Sequence, residues 1–194
     1  VHGLTNRLML STKNKQVNGS VEPDSSYRNE GELVNDWLDR GVRLGLAKKQ
    51  RFIVLRTHKH VDADAAFSAA LMMEFLHDRS QSIGLTLEFV PASYATDAPH
   101  ILAVDMLEGR NAVKGLEQGS AFGLLVDVLG KQDELIEVCF RQWAEQLNLT
   151  DSGNKCDDRV ILAELVSAWK ANKLSDKNIV NRARELIRGK LLVE

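Results

Sequence analysis

The sequence predicts an α/β domain: a small, mostly parallel sheet with flanking helices and a helical C-terminal half. Three observations lead there. Residues 52–55 and 101–104, Phe-Ile-Val-Leu and Ile-Leu-Ala-Val, are short continuous apolar runs, the pattern of parallel strands covered on both faces. Between them lie a helical stretch and an alternating run, an order that favours an open parallel sheet. From Ser120 onward only helical stripes follow. At 194 residues the chain suits one compact domain with a sizeable core.

Taken in order, residues 1–31 read as a poorly organised segment. Positions 11–20 are polar, Glu22-Pro23-Asp24-Ser25-Ser26 reads as turn or linker, and only Leu8-Met9-Leu10 resembles a short strand. The first residue is Val1, which suggests a processed chain or an excised fragment. Residues 32–130 form the α/β part. Leu33, Trp37, Leu38 and Val42 fall at helical spacing up to Gly45. After the strand at 52–55, a helix spans 64–78, with Phe67, Leu71 and Phe75 on one stripe and Met72 and Leu76 beside it. A helix so apolar all round must be well buried. Leu85, Leu87 and Phe89 alternate with Thr86 and Glu88, so 85–90 is a half-buried strand ending at Pro91. Residues 131–194 are the helical remainder of the same domain. Helices are expected at 122–129, 134–147, 159–172 and 176–186, the last capped by Asp176 after the turn residues Leu174-Ser175. Trp143, Leu147, Leu162, Leu165 and Trp169 lie on apolar stripes, so this half is expected to supply packing rather than catalytic groups.

Composition excludes several classes. Two cysteines, Cys139 and Cys156, make no disulfide framework and have no metal-finger spacing, which points to a reducing, cytoplasmic setting. No apolar run approaches the ~20 residues needed to span a bilayer, and no signal-peptide pattern opens the sequence, so no membrane association is expected. Twenty-five basic against 27 acidic residues give a net charge of −2, so no broad basic field announces a nucleic-acid partner, though a local patch stays open.

The chemistry concentrates in Arg56-Thr57-His58-Lys59-His60-Val61-Asp62-Ala63-Asp64-Ala65, which leaves a buried strand and enters a buried helix. Ligands of open α/β sheets gather at that edge. His58, His60, Asp62 and Asp64 are spaced by two, so an extended segment would aim all four to one side. Imidazole with carboxylates suits Mn²⁺, Fe²⁺, Zn²⁺ or, with more oxygen ligands, Mg²⁺. The plainer role for Asp62 or Asp64 is a helix cap. Asp105 ends the second apolar run and belongs at the same edge, a costly place for a charge unless a metal or a helix N-terminus faces it. His77 is about 20 Å up its helix, His100 precedes its strand at the opposite edge, and His2 lies in the first segment. A second place to look is Gly119-Ser120-Ala121, where a helix opening presents either amides to a phosphate or a simple serine cap. Lys114 and Arg110 just upstream add positive charge for an anionic substrate, or are solvated loop residues.

The first segment resembles the DHH phosphoesterase superfamily, RecJ-type exonucleases and family II pyrophosphatases among them. That family opens with an apolar strand, then His-x-x-x-Asp-x-Asp-Ala and a small-residue helix. Here 52–55 is the strand and His58-Lys59-His60-Val61-Asp62-Ala63-Asp64-Ala65 the motif. The family's second motif, an Asp closing a hydrophobic strand, is similar to 101–105, and Gly119-Ser120-Ala121 to its later Ser-Ala helix. The likeness covers roughly residues 50–130. It implies a divalent-metal-dependent phosphoesterase, with Mn²⁺ or Mg²⁺ as cofactor, hydrolysing a phosphodiester or phosphoanhydride. The substrate would be a phosphate-containing small molecule or a short nucleic acid. It also implies a first ion at His58, Asp62 and Asp105 and a second facing Asp64 and Asp105. His60 and Asp64 would be catalytic, His60 as an outer ligand or a donor to the departing oxygen. Arg56, Lys59, Lys114 and Ser120 would bind substrate.

The name-giving Asp-His-His motif is missing, and no His lies between Asp105 and Ser120. The second ion therefore lacks its His, and Asp157 or Asp158 would have to supply a last carboxylate. Two readings follow: a one-metal or divergent enzyme, or a catalytically inactive interaction module with a protein partner or a second copy of the chain. His58-Lys59-His60-Val61-Asp62 is also similar to the metallo-β-lactamase motif His-x-His-x-Asp-His. Ala63 replaces its last His, however, and the strands that fold needs do not precede it.

Overall fold

The structure is a computed structural model that describes residues 30–48, 52–79, 84–94, 98, 100–106, 109, 111–116, 119–153 and 161–193. Among these residues four strands, β1 (Phe52–His58), β2 (Gly84–Val90), β3 (Ile101–Val104) and β4 (Ala112–Val113), form one sheet in the order β2-β1-β3-β4. Every pairing is parallel. β1 and β3 are central and covered on both faces, which is why Ile53, Val54 and Leu55 and all four residues of β3 are buried. β2 is an edge strand, and its alternation in the sequence reflects that half-exposed position. β4 is two residues long, too short to leave a pattern in the sequence.

From β1 the chain moves to one side for β2, then crosses to the other for β3. Such a reversal opens a crevice beyond the C-terminal ends of the two central strands. β1 delivers His58 there and β3 delivers Asp105.

Among the described residues there are six helices: α1 (Glu30–Lys48), α2 (Ala63–Arg79), α3 (Ala121–Gly130), α4 (Glu134–Asp151), α5 (Ile161–Ala171) and α6 (Asp176–Leu191). α1 begins two residues before position 32. The expectations for 1–29, including a strand at Leu8-Met9-Leu10, lie outside the described residues, as do Arg110, Cys156, Asp157 and Asp158.

α2 is the central helix, as its all-round apolarity requires. Ala65, Ala66, Ala69 and Ala70 are fully buried, and their small side chains let neighbouring elements approach closely. Phe67 of α2 meets Phe122 of α3 and Trp143 of α4 edge-on, at centroid distances of 6.2 and 5.6 Å. Phe140 closes the cluster against Phe122 and Trp143. Such aromatic pairs add specificity to the area they bury. Further along α2, Glu74 is buried, and both Arg184 and Arg188 of α6 donate to its carboxylate. Burial alone would raise its pKa, but the two guanidinium groups bring it below the ordinary value.

The helical second half packs much as its stripes predict. Leu147, Leu162, Val166, Ile179, Val180, Ala183 and Ile187 are buried, while Trp143 and Trp169 are half-buried against the same core. One cap differs. Ser175, not Asp176, caps α6, its hydroxyl accepting from the Asn178 amide. Ser175 has the extended backbone a cap needs, which leaves the Asp176 carboxylate to face elsewhere.

Candidate metal centre

β1 ends at His58, the chain turns at His60 with φ 60°, and α2 starts at Ala63. This turn interrupts the extended geometry that would have aligned His58, His60, Asp62 and Asp64. His58 and Asp62 still meet, with Nε2 3.7 Å from Asp62 Oδ2. Asp105, one residue beyond β3, joins them. Its Oδ2 is 3.0 Å from His58 Nε2, and its own amide donates to the Val113 carbonyl. One ligand atom from each of His58, Asp62 and Asp105 lies within 4.8 Å of the other two.

This donor set fits a divalent cation. It offers one imidazole nitrogen and two carboxylate oxygens, a mixture suited to Mn²⁺, Mg²⁺, Fe²⁺ or Zn²⁺. His58 Nδ1 sits 2.9 Å from the Lys59 carbonyl oxygen, to which it donates. That second contact fixes the ring and leaves Nε2 as the ligand atom, the usual arrangement of a metal-binding histidine. Asp62 serves two ends at once: Oδ1 accepts from the Ala65 amide and caps α2, while Oδ2 faces His58.

In the metal-free protein both ring nitrogens of His58 face acceptors. The hydrogen bond to Asp105 outweighs burial and carries the His58 pKa from 6.5 to about 9. Asp105 is only 2% exposed. Burial works to raise its pKa, yet hydrogen bonds from His58 and Lys114 bring it below the ordinary carboxylate value. The folded state therefore holds the His58 proton more tightly than the unfolded chain. Stability from this pair is complete below pH 6.5 and is lost as pH rises through about 9. Metal-free protein should lose about 2–3 kcal/mol of stability between pH 6.5 and 9.5. Urea melts in a chelator would measure this, and His58→Gln should flatten the trend. A wild-type profile already flat over that range would count against the pair.

The other expected site residues separate. The Asp64 carboxylate accepts from the Ala121 and Phe122 amides, both at 2.8 Å, and from the Ser68 hydroxyl at 3.2 Å. It is a strut from α2 to the N-terminus of α3, outside the metal-capable triad. Burial and the nearby Asp105 charge raise its pKa to about 7 against those two amides. Ser120 caps α3 and is fully buried, its hydroxyl donating to Asn148 and accepting from the Gly123 amide. The first three amides of α3 are thus taken by Asp64 and Ser120. Of the two readings of this helix opening, the structure shows the serine cap.

Arg56 pairs with Glu88, its register partner on β2, and stacks over Tyr94 at 5.1 Å. Lys59 and His60 are exposed, and neither belongs to the triad. What the site uses of His60 is backbone. Its amide and that of Val61 donate to Asp176, and its carbonyl accepts from Lys170 Nζ at 3.3 Å. Among the expected substrate-binding residues, Lys114 brings its side chain to the triad, with Nζ 2.7 Å from Asp105 Oδ1. His77 is exposed far along α2, and the His100 carbonyl accepts from Val54 at the opposite end of the strands, as expected.

No family model, no curated protein and no solved structure matches the chain.

A cleft of about 290 Å³ borders the triad at Asp62 and is also lined by Asp64. Leu147 and Val166 contribute apolar surface, while Asp151, Ser167 and Lys170 add polar groups. Asp151 ends α4; its pKa is raised by burial first, with Asp105 and Asp62 adding against the opposing charge of Lys114. The C-terminal half therefore brings polar groups to the cleft beside its core packing. One signal in the sequence bears on Asp151: an acid in the last turn of a helix opposes the helix dipole and calls for a compensating reason. Asp176 carries no such signal, because an acid in the first turn is ordinary.

Proposed function

We propose that the chain is a divalent-metal-dependent phosphoesterase acting on a phosphodiester or phosphoanhydride, with Mn²⁺ or Mg²⁺ held by His58, Asp62 and Asp105. The observation that carries this reading is the convergence of those three side chains at the C-terminal ends of the two central strands, next to a cleft. The resemblance of His58–Asp64 to the DHH motif adds the reaction class. When bound, such an ion supplies Lewis acidity toward a phosphoryl oxygen and eases deprotonation of water.

The chain's own groups do the rest. Asp62 and Asp105 set the anionic end of the site, and Lys170 and Lys114 provide cations for non-bridging oxygens. Asp151, with its pKa raised, is suited to exchange a proton with the reacting water or the departing oxygen. Leu147 and Val166 offer an apolar surface to the organic part of the substrate. Among the described residues no helix is long and apolar enough to cross a membrane. The setting we propose for the chain is reducing and cytoplasmic, on the strength of its having just two cysteines without framework spacing.

The test is release of p-nitrophenolate from bis(p-nitrophenyl) phosphate. Activity should require added Mn²⁺, vanish with a chelator, and be lost in Asp62→Asn. Tight Mn²⁺ binding without hydrolysis of this ester, a dinucleotide or pyrophosphate would overturn the catalytic reading and leave a metal-binding interaction module.

A further inference from the structure

We propose that the Lys114 ammonium is a built-in second cation, occupying the place beside Asp105 where a two-ion centre would hold its second metal. This rests on the metal reading given above. The two oxygens of Asp105 are divided between two positive partners: Oδ2 faces His58 and the triad, and Oδ1 receives Lys114 Nζ at 2.7 Å. A carboxylate bridging two ions divides its oxygens in the same way. Here one of the two positions is filled from within the chain.

The lysine is placed there by several independent constraints. It follows β4, whose pairing with β3 brings it alongside Asp105. Its backbone amide and those of Gly115 and Leu116 all donate to the Glu30 carboxylate, at 2.7, 2.8 and 3.0 Å. Gly115 has φ +75°, and a Cβ there would lie 1.8 Å from the Ser120 carbonyl oxygen, so the loop can take this path only with glycine. The root of the side chain is thus fixed, and its ammonium is 2.7 Å from an almost fully buried acid.

The charges around the ammonium are those a second ion would want. Burial tends to lower the Lys114 pKa, but Asp105 first, then Asp151 and Asp64, raise it above the ordinary value. Three carboxylates therefore act on one ammonium. The missing Asp-His-His motif is consistent with this arrangement, because a tethered ammonium needs no histidine to hold it. An ammonium also donates to a non-bridging phosphoryl oxygen, as a compact point charge.

The experiment counts Mn²⁺ per chain by equilibrium dialysis and by the loss of the free-ion electron paramagnetic resonance signal. The proteins are wild type, Lys114→Met, Lys114→Gln and the double variant Lys114→Met with Asp151→Asn. Circular dichroism melts establish which variants fold. The expected counts are one ion for wild type, two for Lys114→Met or Lys114→Gln, and one again when Asp151 is also neutralised. Two ions on wild type would overturn the inference even if neither Lys114 variant folds. So would a single ion on a folded Lys114 variant. In both cases the metal reading itself would stand. No ion on wild type would overturn the metal reading, and this inference with it.

Discussion

Asp64→Ala should cost about 3–5 kcal/mol of stability and lower the melting temperature by roughly 10 °C. The Asp64 carboxyl accepts hydrogen bonds from two amides of α3 and one from Ser68, all in the interior. Alanine leaves the two amides at a buried helix N-terminus with no acceptor. Each such loss costs about 1.5–3 kcal/mol when the missing partner is charged. Asp64→Asn keeps one acceptor oxygen and should lose about half as much. A change under about 1 kcal/mol in Asp64→Ala would mean that α3 is held by its apolar contacts alone, and the strut would be discarded.

Asp105→Asn should abolish measurable Mn²⁺ binding with little change in fold. Asparagine is the fitting test because residue 105 has φ 51°, a region Asn tolerates far better than Ala. The substitution keeps shape and removes charge. It takes away one ligand oxygen and half of the pair that holds His58. The loss should exceed the roughly 10–100-fold that changes outside a coordination shell typically cost. The His58 pKa should also fall back toward 6.5, because its hydrogen bond to Asp105 is the largest cause of the rise. Isothermal titration and a histidine NMR titration check the two halves separately. Unchanged Mn²⁺ affinity would remove Asp105 from the coordination set and break the proposed site at its centre.

The sheet and most helices were legible in the sequence because they depend on local periodicity. The buried strands had continuous apolar runs, the edge strand alternated, and α2 was apolar all round. That β1 and β3 open their C-terminal ends on one crevice followed from parallel pairing, and it brought His58, Asp62 and Asp105 together as expected. Two things were not legible. The alternation His58, His60, Asp62, Asp64 presumes an extended chain, but a left-handed residue at position 60 redirects it. An acid in the first turn of α2 looks like a candidate ligand, yet Asp64 is taken by a helix that begins 57 residues later. Contacts of such separation leave no periodic trace. The same holds for Asp151, Lys170 and Asp176, which approach the site from helices whose stripes speak only of packing.

The anchoring of the His60–Val61 turn bears on the order in which the molecule is made. Its two amides rest on Asp176, 116 and 115 residues ahead, and Lys170 holds the His60 carbonyl from 110 residues ahead. During synthesis, β1 through β4 can emerge and pair well before either anchor leaves the ribosome. Throughout that interval the segment between His58 and Asp62 has its ligands but not its supports. The turn that sets His58 and Asp62 relative to each other therefore gains its supports only once α6 has docked on α2.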